Sequence, residues 1–194
     1  MPRLDPDVLN ADEVEALMRV CSRRAPTGIR NRAIIAIAWR SGLRVSEILG
    51  LELKDVDLDN GTLLVRHGKG DKARTVGLDA GTSELIVRWL SARSKLDIGR
   101  NRLVFTTLSG NQIDPSYLRH AIPRLAKKAG IDKRTHLHGL RHLHAISLDR
   151  AGASPSMIRD ALGHSSLSTT DRYLRRLGTG ASVDFVRARD WTPA

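Results

Sequence analysis

Between Val56 and Leu78 the residue pattern changes from helical to extended, and this interruption of an otherwise helical chain constrains the fold more than any other feature. Asp59-Asn60-Gly61 reads as a hairpin turn, Thr62 to Arg66 alternates weakly, Gly68-Lys69-Gly70-Asp71-Lys72 reads as a second turn, and Arg74 to Leu78 as a third strand. Together these make a small antiparallel sheet. The expected fold class is therefore α+β, mainly α-helical: a helical domain with a small three-stranded antiparallel sheet on one edge.

The helices carry their own signals. Asn10 followed by Glu13 makes a capping-box start for a helix through Val14, Leu17, Met18 and Cys21, and Arg24-Ala25-Pro26-Thr27-Gly28 is expected to end it. A second helix is expected from Ile29 to Arg40, apolar on most sides as a central buried helix would be, with Ser41-Gly42 closing it. Leu43 to Leu51 reads as a short third helix with Arg44 and Glu47 on one face. After the sheet, helices are expected over Ala80–Ser94, Pro115–Ala129, His138–Ala151, Pro155–Leu162, Ser168–Arg176 and Ala181–Arg189. Ser154 before Pro155 fits an N-cap followed by proline at the first helical position. No internal repeat, low-complexity tract or long linker divides the chain.

Composition narrows the class of partner. With 194 residues, 41% of them apolar, the chain is sized for one compact domain. Its 32 Lys and Arg against 21 Asp and Glu leave a charge of +11 spread along the sequence, which suits a polyanion such as nucleic acid. Cys21 is the lone cysteine, so no disulfide framework exists and a reducing compartment is expected. No apolar run reaches the ~18 to 20 residues of a membrane span, and no signal peptide is seen; the expectation is a soluble, cytoplasmic protein with no membrane partner.

Four segments carry polar residues that suit phosphate chemistry. Arg44 follows Gly42 at a helix start, where its guanidinium can hold two phosphate oxygens while Glu47 fixes its rotamer; an ordinary surface ion pair is the alternative. Lys69 lies at a hairpin tip between two glycines, placed either to protonate a leaving alkoxide or simply to be solvated. His138 and Arg141 share a helix face. With His136, His142 and His144 nearby, zinc-like spacing exists between His138 and His142, but no cysteine or acid joins the cluster, and the expectation is no metal. His164 precedes Tyr173 by nine residues. A tyrosine hydroxyl, with a pKa of about 10, is a weak nucleophile unless neighbours neutralise the phosphodiester and manage protons.

These segments, from Arg30 to Leu78 and from His138 to Leu174, resemble in order and spacing the catalytic domain of the tyrosine recombinase (phage integrase) family. The resemblance implies that Tyr173 attacks a DNA phosphodiester to give a 3′-phosphotyrosyl bond and a free 5′-hydroxyl. It implies that Arg44, Arg141 and His164 stabilise the non-bridging oxygens, Lys69 protonates the departing oxygen, His138 assists proton transfer, and Glu47 supports Arg44. No metal, ATP or other cofactor is implied. Double-stranded DNA is the expected partner, with Lys72, Arg74, Arg119, Arg124, Lys127 and Lys128 as DNA-contact candidates; for the last four a solvated face is an equal alternative. A monomer is expected without DNA and a homotetramer on it. Residues 1–177 are expected to form the catalytic domain and 178–194 a terminal segment docking in cis or in trans. The helical core-binding domain that most members place before the catalytic one is expected to be absent, leaving weak, salt-dependent DNA affinity. Two rival activities stay open: a type IB topoisomerase-like nicking and closing activity, and a DNA-binding regulator that does not cut.

Overall fold

In the computed structural model, residues 8–66 and 73–163 are described; their elements follow the sequence pattern, with instructive departures. Helix α1 spans Ala11–Arg19. Asn10 caps it: its side chain accepts the Glu13 N–H at 2.8 Å, and the Glu13 carboxylate accepts the Asn10 N–H at 2.7 Å. The helix stops before Cys21, which is nonetheless buried.

The Arg24 to Gly28 stretch does not end α1, which has already stopped at Arg19. Pro26 opens α2, Pro26–Ala36, three residues before the expected start at Ile29. Proline has no N–H to lose at a first helical position and a φ already set for helix, so Pro26 opens α2 after the turn that follows α1. Gly28 lies inside α2 because a Cβ there would come within 2.4 Å of the Ser22 carbonyl oxygen. The helix then loosens into a π turn, Ile37–Ser41, and ends at Gly42 in the left-handed region with φ +64°. Helix α3 is shorter than expected, Val45–Leu49, because Arg44 has extended dihedrals and serves as its N-cap.

The sheet is a meander in the order β1 (Val56–Asp57), β2 (Thr62–Val65), β3 (Arg74–Gly77), antiparallel throughout. Val56 faces Leu63, Leu63 faces Val76, and Val65 faces Arg74. Four helices follow: α4 (Ala80–Arg93), α5 (Pro115–Lys128), α6 (Leu137–Arg150) and α7 (Pro155–Leu162). Each lies within a residue of its expected limits at either end. The helices expected over Ser168–Arg176 and Ala181–Arg189, and the turn at Gly68 to Lys72, lie outside the described residues.

Helix α2 and its π turn form the central rod, with Ala33, Ile34, Ile35, Ile37 and Ala38 all removed from solvent. Helix α4 packs along α2, and α6 packs along the π turn. Each fully buried isoleucine contributes about 1.5–3 kcal/mol relative to exposure, which explains why the helix is apolar on most sides. A segment without a strong sequence signal returns beside α3: the Val104 N–H bonds Leu51 O at 2.8 Å, while Trp89 Nε1 donates to Val104 O and stacks on Phe105. The fold is α+β, mainly helical, with one small antiparallel sheet.

Candidate active site

The turn at Gly42 decides the local geometry. Its left-handed φ reverses the chain after the π turn, and a side chain there would put Cβ 2.5 Å from His144 Cδ2. Two residues on, the Arg44 N–H is held by Glu47 Oε2 at 2.8 Å, and Arg44 Nη1 donates to Glu47 Oε1 at 2.7 Å. Glu47 thus closes the first turn of α3 and grips the guanidinium at the same time.

Glu47 has further partners. Arg74, entering from β3, donates from Nη1 to Oε1 and from Nη2 to Oε2, each at 2.9 Å, a bidentate fork. Arg141 of α6 brings Nη1 to 3.7 Å from Oε2. The Glu47 side chain is only 2% exposed. Burial alone would raise its pKa, but the hydrogen bonds and charges of Arg74 and Arg44 outweigh that and hold it at about 2. Three guanidiniums around one carboxylate leave a strongly positive centre.

The same three arginines also grip the end of α7. Arg74 Nε points to Ala161 O at 3.4 Å, Arg141 Nη2 donates to Leu162 O, and Arg44 Nη2 points to Gly163 O at 3.4 Å. Arg141 Nη1 also donates to Gly42 O. The last carbonyls of a helix lack intrahelical partners and carry the negative end of its dipole, so they are natural acceptors for cations. Gly163 ends α7 with φ +59°, and a Cβ at this glycine would fall 2.8 Å from Arg74 Nη1. A single polar cluster thus joins α3, β3, α6 and α7.

The phage integrase family profile matches residues 7–178. The chain belongs to that family. It is 34% identical over 182 residues to tyrosine recombinase XerC 2 of Ralstonia nicotianae, covering 93% of this chain and 51% of that protein. It is likewise 34% identical over 171 residues to XerD of Listeria monocytogenes, covering 87% and 57% respectively. The chain therefore spans about half the length of these curated relatives. Among solved structures it resembles the XerA recombinase, with TM-score 0.82, 32% identity, and coverage of 99% of this chain and 67% of that one. The XerH recombinase bound to a palindromic difH substrate gives TM-score 0.76 at 34% identity, covering 92% and 53%.

In this phage integrase domain, the structure brings Arg44, Glu47, Arg141 and His138 together. His138 sits in the first turn of α6; burial, then the positive charges of Arg141, His136 and Arg44, push its pKa below the usual histidine value, favouring a neutral imidazole. His136 has a different task, as the N-cap of α6 whose Nδ1 accepts the Gly139 N–H at 3.2 Å. His144 is buried against the π turn, far from the ordinary histidine range, with a pKa of about 4. Among the described residues no group of three or more His, Cys, Asp or Glu is placed to hold a metal ion.

Lys69, Lys72, His164 and Tyr173 lie outside the described residues. Arg119, Arg124, Lys127 and Lys128 are exposed on α5, away from its buried Leu118, Ala121, Ile122 and Ala126, and none is hydrogen-bonded or ion-paired to the cluster. Arg74 is the residue whose setting the sequence reading missed. It is a DNA-contact candidate by sequence, and in the structure its guanidinium is engaged through all three nitrogens. A signal existed: Arg74 and Val76 are two apart in a strand, so they share a face, and Val76 is buried.

Proposed function

We propose that this chain is the catalytic part of a site-specific DNA recombinase or integrase, which breaks and rejoins double-stranded DNA through a 3′-phosphotyrosyl intermediate without metal or ATP. The observation that carries the reading is the Arg44–Glu47–Arg141 cluster, a prepaid positive site of the kind that stabilises charge on non-bridging phosphate oxygens. Family membership, and the 34% identical XerH recombinase solved bound to difH, support the choice of DNA as substrate.

In this reading the Tyr173 oxygen attacks phosphorus as the bond to the 5′ oxygen breaks, and Lys69 delivers a proton to that leaving oxygen. Arg44, Arg141 and His164 meet the negative charge that develops. A neutral His138 is suited to accept the tyrosine proton, in keeping with its lowered pKa. The phosphotyrosyl link conserves the phosphodiester bond, so a 5′-hydroxyl from another strand reverses the step. Residues 1–177 make the catalytic domain and 178–194 the docking segment; the protein is a cytoplasmic monomer that assembles as a homotetramer on DNA.

The test is a duplex nicked near the scissile phosphate, which traps the covalent intermediate. An adduct with the wild-type chain that vanishes in Tyr173→Phe supports cleavage. Failure to form any adduct, at a salt concentration where the duplex is bound, overturns it and leaves a non-cutting regulator.

A further inference from the structure

Arg74 has a setting that a phosphate contact on the surface does not need. Its side chain is 12% exposed, against 27% for Arg44. Its fork takes both oxygens of Glu47 at 2.9 Å, while Nε faces the last turn of α7 at Ala161 O. The close approach of the guanidinium to Gly163 leaves no room for a side chain at that position.

We infer that Arg74 is a positioning residue for the proposed strand-cleavage reaction: by holding both Glu47 oxygens it orients the carboxylate that grips Arg44, and its own charge leaves the cluster net positive toward the phosphodiester. The inference rests on the proposed function. Without Arg74, one carboxylate faces two arginines, and much of the charge of one of them is cancelled; with it, the four groups carry a net +2 and the rotamer of Glu47 is fixed from both sides. The groups facing Glu47 are Arg44 on its own turn, Arg74 from β3 and Arg141 from α6, and no acid among the described residues adds to them. Arg74 also ties the sheet, whose β2–β3 connection carries Lys69, to the helix that ends one residue before Gly163 and two before His164.

The experiment compares wild type, Arg74→Met and Arg74→Lys. Single-turnover adduct formation is measured on a saturating nicked duplex between pH 4 and 8, with DNA affinity against salt and the 13C-detected titration of the Glu47 carboxyl. A misplaced grip on the reacting phosphate lowers rates by about 100-fold, so Arg74→Met is expected to lose about that much at saturation while DNA affinity stays within a few-fold. Arg74→Lys, which keeps the charge but not the fork, is expected to fall between the two. The Glu47 titration and the acid limb of the rate profile are expected to move upward together in Arg74→Met. Unchanged cleavage at saturation, with weaker binding and a shallower salt slope, would make Arg74 an ordinary DNA contact and overturn the inference. If the wild type forms no adduct, the proposed function fails, and an unmoved Glu47 titration in Arg74→Met separately overturns the positioning role.

Discussion

Replacing Gly42 by alanine tests how the π turn delivers Arg44 to the cluster. Gly42 has φ +64°, a region that costs an L-residue about 1–2 kcal/mol. An added Cβ would also lie 2.5 Å from His144 Cδ2 and 3.1 Å from Leu162 Cδ2. His144 is 8% exposed and wedged between the π turn and α6, so the ring has little room to retreat; forcing a methyl group into such a site costs about a further 1–3 kcal/mol. The expected loss is thus about 2–5 kcal/mol. Gly61 provides the control: its φ is +61°, but its Cβ would meet only Leu78 O, at 3.4 Å. Gly61→Ala should therefore carry the backbone cost alone. Urea unfolding followed by circular dichroism at pH 7.5 should separate the two variants by about 1–3 kcal/mol, and thermal unfolding by roughly 2–4 °C for each kcal/mol. Equal destabilisation of the two would refute the claim that crowding against His144 and Leu162 fixes Gly42.

Two acid-side predictions follow from the same core. Burial, with Arg40 and Arg141 nearby, holds His144 at about 4 against weaker opposition from the Trp39 backbone and Asp79, so the folded state resists its proton while the unfolded chain accepts one near pH 6.5. Its stabilisation is full above that pH and declines toward pH 4, by on the order of 3 kcal/mol; His144→Leu should flatten this limb of the urea midpoint against pH, and an unaltered limb would sink the assignment. Glu47 behaves as a depressed carboxylate: its contribution is full above about pH 4.5 and is lost as pH falls toward 2. Glu47→Gln leaves three guanidiniums without their anion and should cost about 3–5 kcal/mol at pH 7, read by urea unfolding, with added sulfate recovering part of it. A loss below about 1 kcal/mol would show that the α7 carbonyls suffice.

What the sequence revealed depended on how local the physics was. The Asn10–Glu13 box and the Ser154-Pro155 start are closed by atoms within four residues, so the starts of their helices are legible to the residue. The sequence assigns Pro26 to a stop, whereas α1 ends earlier at Arg19 and the proline acts at the first position of α2. The π turn at Ile37–Ser41 has no local sign; it is a slip in hydrogen bonding at a place where α6 packs along the chain. At the site, Arg44, Glu47, His138 and Arg141 were found through motif resemblance. By sequence Arg74 is only a DNA-contact candidate, and the two-residue period it shares with buried Val76 is the pattern that accounts for its inward setting.

The cluster also shows how a protein keeps three guanidiniums close together before any phosphate arrives. One carboxylate neutralises a third of the charge, and the carbonyl end of α7 shares the rest through Ala161, Leu162 and Gly163. These acceptors are unevenly distributed. Arg141 is 4% exposed and gripped by Gly42 O and Leu162 O; Arg74 is 12% exposed with every nitrogen engaged; Arg44 is 27% exposed. Among the described residues Arg44 uses two of its five N–H groups, on Glu47 and Gly163. An anion approaching the cluster therefore meets Arg44 first, with Arg74 and Arg141 already fixed behind it. Because those supports are in place beforehand, little reorganisation is left for the moment when charge develops on a bound phosphate, and that is where fixed dipoles and cations lower a barrier most.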